Sequence, residues 1–244
     1  MSEAKSKNVF KLASTWAKGS HIELWESEST ESTNNMAKDE AFKVASDFKL
    51  YLTAQQTAGR GRGEHRWISP EKGTALLSSW SYKMESAPQH VTAPLFGLAL
   101  YQAVEQTWPT LNWSLKAPND LFLNDKKVAG LLVETLSQGS QIRLIVGLGF
   151  NGYAAPEGVD DATFLDEHLR EDFNHSSWTE FLTVLHATFQ EAADMCTTDS
   201  LDPDSQAQLL EALNKNPNLE ESFSQVTPAA DLVTGSKTVS WSEL

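Results

Sequence analysis

The sequence has almost no cysteine and no long apolar run. Its single cysteine, Cys196, cannot form an intrachain disulfide, and a lone thiol late in a helical pattern is typical of a structural residue. No apolar stretch is long enough to span a bilayer. The first 18 residues are polar and bear lysines, without the apolar segment of a secretory signal. These absences predict a cytoplasmic protein that does not bind a membrane.

Positive charge is scarce in the C-terminal part of the chain. Residues 153–244 hold 3 Lys and Arg against 18 Asp and Glu, whereas residues 1–152 hold 16 against 15, so that the whole chain carries a net charge of −14. An acidic surface repels phosphates, and we therefore expect no nucleic-acid partner. An anionic small molecule is expected to bind in the nearly neutral first part.

Several catalytic signatures are also missing. The histidines and the cysteine do not have the spacing of a zinc site, and no Gly-x-Ser-x-Gly elbow of a hydrolase occurs. The glycines form neither a Walker A loop nor a dinucleotide-binding fingerprint. Cys196 lies in a segment with core spacing, which argues against a cysteine–histidine enzyme.

The most distinctive stretch is a segment in which glycine alternates with arginine, which we call the Gly/Arg loop (residues 56–67). It begins with Gln-Thr-Ala-Gly-Arg-Gly-Arg-Gly and ends with Trp67, which is followed directly by Ile68-Ser69-Pro70. Gly61, which lacks a Cβ, can take a positive φ and let the backbone approach a ligand. Arg60 and Arg62 carry planar donors that suit a carboxylate or phosphate. Taken alone, the segment also fits a flexible loop of the kind found in RNA-binding tails.

Hydrophobic periodicity predicts strands with helices inserted between them. We expect strands at about 22–25, 50–54, 74–82, 113–116, 121–123, 127–134 and 141–148, and helices at about 33–44, 94–107, 177–195 and from 203 onward. The helix at 33 is expected to be capped by Ser32 or Thr33, that at 177 by a Ser-x-x-Glu capping box, and Gly97 is expected to mark close packing. The pattern indicates an α+β fold with a mixed, largely antiparallel sheet.

Cations and amides lie at the predicted strand ends. Lys116, Lys126 and Lys127 are near glycines, together with one carboxylate and two amides (Asn119, Asp120 and Asn151). Such a set suits a nucleotide phosphate and Mg²⁺, which retains most of its water and needs few protein carboxylates. The sequence therefore indicates chemistry at a phosphate, aided by positioning and charge stabilisation.

In order and spacing, five segments resemble the biotin protein ligase family (biotin–[acetyl-CoA-carboxylase] ligase). They are Glu-Ser-Thr-Asn at 31–34, the Gly/Arg loop with Trp-Ile-Ser-Pro, Lys-Ala-Pro-Asn-Asp-Leu at 116–121, Lys-Val-Ala-Gly-Leu-Leu-Val-Glu at 127–134, and Gly-Leu-Gly-Phe-Asn at 147–151. Together they span about residues 20 to 155. The resemblance implies a class II synthetase-like catalytic domain, placed at residues 1–200, and a small C-terminal segment at 201–244 that is a reduced form of the family's β-barrel.

The resemblance also implies a two-step reaction on ATP and biotin with Mg²⁺. Biotin is first converted to biotinyl-5′-AMP and is then transferred to a lysine of a biotin carboxyl carrier domain. Arg62 and Lys127 would act in catalysis. The biotin contacts implied are Ser32, Thr33, Asn34, Gln56, Arg60, Gly61, Arg62, Trp67, Lys127 and Gly130. The nucleotide contacts implied are Arg62, Lys116, Asn119, Asp120 and Asn151, with no protein side chain assigned to a metal.

The sequence departs from the family pattern at two places. Ala117 replaces a tryptophan, and Gly63-Glu64-His65 replaces a run with a different glycine position and another arginine. With no room before residue 20 for a winged helix, we expect no repressor role. The acceptor protein and the choice between monomer and homodimer are left open. A non-catalytic paralogue that binds biotin or biotinyl-AMP and a ligase for lipoate or a related acyl acid are the alternatives.

Overall fold

The computed structural model describes residues 7–169, 175–235 and 237–243. The helices are α1 (Val9–Gly19), α2 (Thr33–Glu40), α3 (Thr92–Thr107), α4 (His175–Met195) and α5 (Pro203–Asn214). The strands are β1 (Leu24–Ser27), β2 (Phe48–Thr53), β3 (Ala75–Met84), β4 (Trp113–Lys116), β5 (Asp120–Leu123), β6 (Lys126–Gln138), β7 (Gln141–Asn151), β8 (Gln225–Val226), β9 (Leu232–Thr234) and β10 (Lys237–Val239). None of the helices in these ranges is long and apolar enough to cross a membrane.

The main sheet has the strand order β1-β2-β3-β7-β6-β5-β4. Among the described strands, β1 and β2 pair in parallel, and the other neighbours pair antiparallel. The long β3–β7 pair forms its centre, from Ala75 opposite Asn151 to Met84 opposite Ile142. This arrangement confirms the expected α+β class with a mixed, largely antiparallel sheet.

The side chains on the two faces of β7 have different surroundings. Leu144, Val146 and Phe150 point into the main hydrophobic core, which also contains side chains of α1, α3 and α4. Ile145 points the other way and packs against Ala37 of α2. Because side chains alternate along a strand, Gly147 and Gly149 share the α2 face with Ile145. Their lack of side chains leaves room on that face.

Helix α1 was not expected from the sequence. The Asn8 side chain caps it by accepting a hydrogen bond from Lys11 N at 2.8 Å. Its apolar residues recur at helical spacing and bury one face against the core, with Val9, Ala13 and Trp16 all buried. Lysines on the opposite face made the segment resemble a polar terminus.

Three local expectations were wrong. Helix α2 ends at Glu40 rather than near Val44, because the Arg143 guanidinium binds the carbonyls that follow it, including Val44 O at 2.7 Å. The expected capping box at 177 lies inside α4, which begins by His175. At Gly97, no atom of the described residues would lie within 4 Å of an added Cβ beyond its own helix, so close packing does not explain this glycine.

The C-terminal region combines α5 with a small sheet of order β10-β9-β8. Asp202 caps α5 by accepting hydrogen bonds from Asp204 N and Ser205 N at 2.9 and 3.0 Å, as its position before Pro203 suggested. Trp241 begins a short 3₁₀ turn, Trp241–Glu243. Val226, Leu232 and Trp241 belong to the same buried cluster as side chains of α1, α3 and α4. The domain boundary at residue 200 stays a prediction.

Candidate functional site

A cavity of about 820 Å³ opens on the α2 face of the main sheet. Its walls come from the start of α2, the Gly/Arg loop, strands β6 and β7, and the segment that joins β4 to β5. Thirteen of the fourteen residues predicted from the sequence line it: Ser32, Thr33, Asn34, Gln56, Arg60, Gly61, Arg62, Trp67, Lys116, Asn119, Asp120, Lys127 and Gly130. Segments up to a hundred residues apart are thus brought to one cleft.

Neutral polar groups form the wall at the start of α2. Among the contacts of the described residues, the Ser32 side chain makes no capping hydrogen bond. The Gln56 carboxamide caps the helix instead, accepting hydrogen bonds from Thr33 N at 2.8 Å and from Thr33 Oγ1 at 3.2 Å. Ser32 therefore occupies the expected N-cap position by its backbone conformation, while its side chain lines the cavity instead of capping the helix.

The Asn34 carboxamide is held from several directions. Its Oδ1 accepts a hydrogen bond from Ser79 Oγ at 2.5 Å, and its Nδ2 donates to Glu134 Oε2 at 2.9 Å. A Cβ on Gly147 would lie 2.4 Å from Asn34 Oδ1, so only glycine at 147 leaves room for this amide. The carboxamide therefore has one defined orientation at the cavity wall.

The Gly/Arg loop folds back on itself as a short hairpin. Arg60 and Arg66 form an antiparallel bridge, and Gly61 N donates to His65 O at 2.9 Å. The positive φ occurs at Gly63, at 60°, and Gly61 does not use the positive φ that was open to it. Gly61 instead permits close backbone approach, because a Cβ there would lie 3.2 Å from His65 O. The loop is thus shaped by its own backbone hydrogen bonds.

Trp67 closes one side of the cavity above β7. A Cβ on Gly149 would lie 2.4 Å from Trp67 Cε2 and 2.5 Å from Cζ2. The indole Nε1 is buried and has no hydrogen-bond partner among the described residues. Gly149 is therefore the residue that allows the indole to lie flat against the sheet.

Arg60 does not point its guanidinium at an open anion site. Its Nη1 and Nη2 donate to both oxygens of Glu134, at 2.9 and 2.8 Å, and Nη1 also donates to Asn35 Oδ1 at 3.2 Å. Burial raises the pKa of Glu134, but hydrogen bonds from Arg60, Lys38 and Asn34 lower it more, and the net pKa lies below the ordinary value. The role of Arg60 as a ligand contact stays a prediction.

The charged part of the lining carries the catalytic candidates. Lys127 Nζ lies 2.6 Å from Asp120 Oδ1, with Gly130 beneath the pair. The Asn119 side chain donates from Nδ2 to Leu131 O at 2.8 Å, which fixes the start of β5 to β6. Arg62 is exposed at the cavity edge. Cations and neutral polar groups thus line one cavity.

Asn151 is the predicted residue that the structure places elsewhere. It is buried at the end of β7, donates from Nδ2 to Thr163 O at 3.0 Å, and is not part of the described cavity lining. Its Oδ1 has no hydrogen-bond partner among the described residues. A nucleotide contact by Asn151 stays a prediction.

Sequence reasoning missed several residues of the cleft. Ser79 and Glu134 hold Asn34, and the backbone of Gly147 and Gly149 forms part of the cavity floor. Glu243, from the C-terminal 3₁₀ turn, also lines the cavity, and the neighbouring Trp241 donates from Nε1 to Pro118 O at 2.8 Å. The alternating glycines of β7 were the available signal, because bare backbone on one face of a central strand indicates a ligand or close packing.

Comparison with known proteins adds an independent line of evidence. The model of the biotin/lipoate A/B protein ligase family matches residues 26–151. A biotin–[acetyl-CoA-carboxylase] ligase of Paracoccus denitrificans is 35% identical over 136 residues, a match that covers 52% of this chain and 54% of that protein. The matched region thus spans about half the length of this relative.

Solved structures share the fold at low sequence identity. The biotin protein ligase of Aquifex aeolicus, in complex with biotin and ATP, has a TM-score of 0.67 at 22% identity, covering 89% of this chain and 95% of that one. The Leishmania major enzyme, in complex with biotinyl-5-AMP, has a TM-score of 0.61 at 21% identity, covering 87% and 94%.

Proposed function

The chain belongs to the biotin/lipoate A/B protein ligase family, whose model matches more than half of it, and on this premise we propose that it is a biotin–protein ligase. The proposed first step joins a biotin carboxylate oxygen to the α-phosphorus of ATP and expels pyrophosphate. In the second step a lysine amine attacks the carbonyl of this mixed anhydride, an amide forms, and AMP leaves. The proposed acceptor is a lysine of a biotin carboxyl carrier domain.

The observation that carries this proposal is the division of one cavity into a neutral and a charged wall. Thr33, Asn34 and Gln56 supply amide and hydroxyl groups already fixed by hydrogen bonds. An uncharged, polar ring system fits such a wall, since fixed partners replace its water at little reorganisation cost. Lys127 and Arg62 line the same cavity, and in this proposal they would contact the carboxylate and the phosphate.

Charge stabilisation is the main contribution expected of the cationic wall. A carboxylate and a triphosphate repel each other, and Lys127 would offset this repulsion and the charge that develops at phosphorus. Asp120, at 2.6 Å, holds the ammonium in place before substrates arrive. Trp67 and the Gly/Arg loop would limit water access to the hydrolysable anhydride.

Mg²⁺ fits this site only as an ion held largely by substrate and water. Within the described residues, no three His, Cys, Asp or Glu side chains converge as a metal site. Asp120 and Asn119 are oxygen donors in the cavity lining that are able to contact Mg²⁺ or its bound water. The ion would supply charge neutralisation on the phosphates.

Ligand discrimination tests the proposal against its alternatives. The protein is incubated with ATP, Mg²⁺ and either biotin or lipoate, and the bound adenylate is identified by mass spectrometry after rapid gel filtration. We expect biotinyl-AMP with biotin and little product with lipoate. Preferred formation of lipoyl-AMP would assign the other acyl acid, and biotin binding without any adenylate would indicate a non-catalytic binding protein.

A further inference from the structure

The Glu134 carboxylate is the meeting point of three parts of the cavity wall. It accepts two hydrogen bonds from Arg60 of the Gly/Arg loop, one from Asn34 of α2, and one from Lys38 Nζ at Oε1. Glu134 itself is not part of the described cavity lining, and its side chain is 17% exposed. It therefore acts on the cavity only through the residues that it binds.

The arrangement on the strand is specific. Glu134 lies on β6 opposite Ile145 of β7, on the same sheet face as Gly147 and the cavity. The fork of Arg60 matches both carboxylate oxygens, which fixes direction as well as distance. Lys38 and Arg60 carry two positive charges and share the one negative charge of Glu134. Removing Glu134 takes this partner from both cations, whereas removing one cation leaves Glu134 paired with the other.

We propose that Glu134 is a positioning residue that holds the Gly/Arg loop against α2 and orients the Asn34 carboxamide toward the ligand. Anchoring of the loop requires no ligand. Orientation of Asn34 toward the ligand rests on the proposed function. In this account Arg60 serves as the loop's anchor, while Arg62 and Lys127 face the substrates.

Substitution of Glu134 by glutamine removes the negative charge and preserves the size of the side chain. In Glu134→Gln one oxygen becomes an amide nitrogen, whose N–H groups face the donors of Arg60 or Lys38. Loss of a charge-assisted pair in a partly buried site should open the loop about tenfold more often. Arg60→Met breaks the same pair from the loop side and leaves Lys38 bound to Glu134, which keeps the proposal testable should the first variant fold poorly.

Limited trypsin digestion of the ligand-free protein measures loop opening directly. The loop offers cleavage after Arg62 and Arg66, both exposed, and mass spectrometry follows these two sites in every variant. Glu26→Gln is the control, because the Glu26 carboxylate also accepts hydrogen bonds from a lysine and a neutral side chain, Lys18 and Ser14, but it is an exposed residue of β1, away from the cavity. We expect about tenfold faster cleavage in Glu134→Gln and Arg60→Met, and a wild-type rate in Glu26→Gln. Equal cleavage in all four proteins would overturn the proposal.

A double variant separates anchoring from a general packing effect. If Glu134 holds the loop through Arg60, then adding Glu134→Gln to Arg60→Met should increase cleavage by much less than tenfold. Fully additive effects would overturn this route. Biotin titrations then test the orientation of Asn34: Glu134→Gln should weaken biotin binding more than Arg60→Met does, and equal affinities would overturn that part. The digestion needs no ligand, so its outcome is independent of whether the proposed function is correct.

Discussion

Replacing Gly149 by alanine should disturb the cavity without disturbing the fold. Gly149 lies in a β-strand and its φ is outside the left-handed region, so alanine is compatible with the backbone. The added Cβ would, however, lie 2.4 to 2.7 Å from three ring carbons of Trp67. Ordinary contact begins at 3.4 Å, and the indole must therefore retreat by about 1 Å.

The effect of Gly149→Ala on stability and biotin affinity depends on whether the strand or the Trp67 ring moves. Overpacking a rigid core costs about 1–3 kcal/mol. Gly149 lies on a central strand, whereas Trp67 is only half-buried and lies on a loop. The ring should move and the strand should stay. We therefore expect a small change in melting temperature and a loss of biotin affinity of about tenfold to a hundredfold, equivalent to about 1.4–2.8 kcal/mol.

Calorimetric titration with biotin and thermal unfolding measure the two quantities. Gly97→Ala is the matched control, because an added Cβ there meets nothing within 4 Å among the described residues outside its own helix. It should bind biotin normally and gain roughly 0.5–1 kcal/mol of stability from helix propensity. Biotin affinity within twofold of wild type in Gly149→Ala would refute the close contact with Trp67 as a determinant of the cavity.

Three further predictions concern the charged wall, acid stability and the thiol. Lys127→Gln should slow adenylation by about a hundredfold or more in single-turnover assays while biotin binds within a few-fold of wild type, and an unchanged rate would contradict the role of its charge. The pKa of Glu134 is lowered from the ordinary 4.5, so the folded protein binds fewer protons than the unfolded chain near that pH. The ionised carboxylate therefore stabilises the folded state above pH 4.5, and this contribution is lost as the pH falls through the folded pKa. Urea unfolding between pH 3 and 7 should accordingly show a shallower acid loss in Glu134→Gln than in wild type, and parallel curves would contradict the assignment. Burial raises the pKa of the Cys196 thiol to about 11, so the native protein should resist thiol reagents that label the urea-unfolded chain, and rapid labelling of the native protein would contradict this.

The sequence allowed the cavity to be predicted where the residues themselves are unusual. The Gly/Arg loop, Lys127 and Asp120 combine residue types that together indicated an anionic ligand, and the structure brings them to one cleft. The strands followed from apolar alternation, which is a local property. The family membership confirms the resemblance that these segments suggested.

Features that depend on distant partners were not predictable in the same way. Arg60 and Glu134 are 74 residues apart, and neither residue alone indicates that they pair. The side-chain cap of α2 comes from Gln56, 23 residues beyond Thr33, although Ser32 occupies the N-cap position. The turn of the loop needed only one positive φ, and several adjacent glycines could have provided it; backbone hydrogen bonds select Gly63.

The most direct test of the whole account is biotin transfer to a carrier. A biotin carboxyl carrier domain is incubated with the protein, biotin and ATP-Mg²⁺, pyrophosphate is measured, and the carrier is mapped by mass spectrometry beside a variant whose acceptor lysine is arginine. The account predicts biotin-dependent pyrophosphate release and a biotinyl group on that one lysine, with none on the arginine variant. Tight biotin binding with neither pyrophosphate release nor a modified lysine would contradict it.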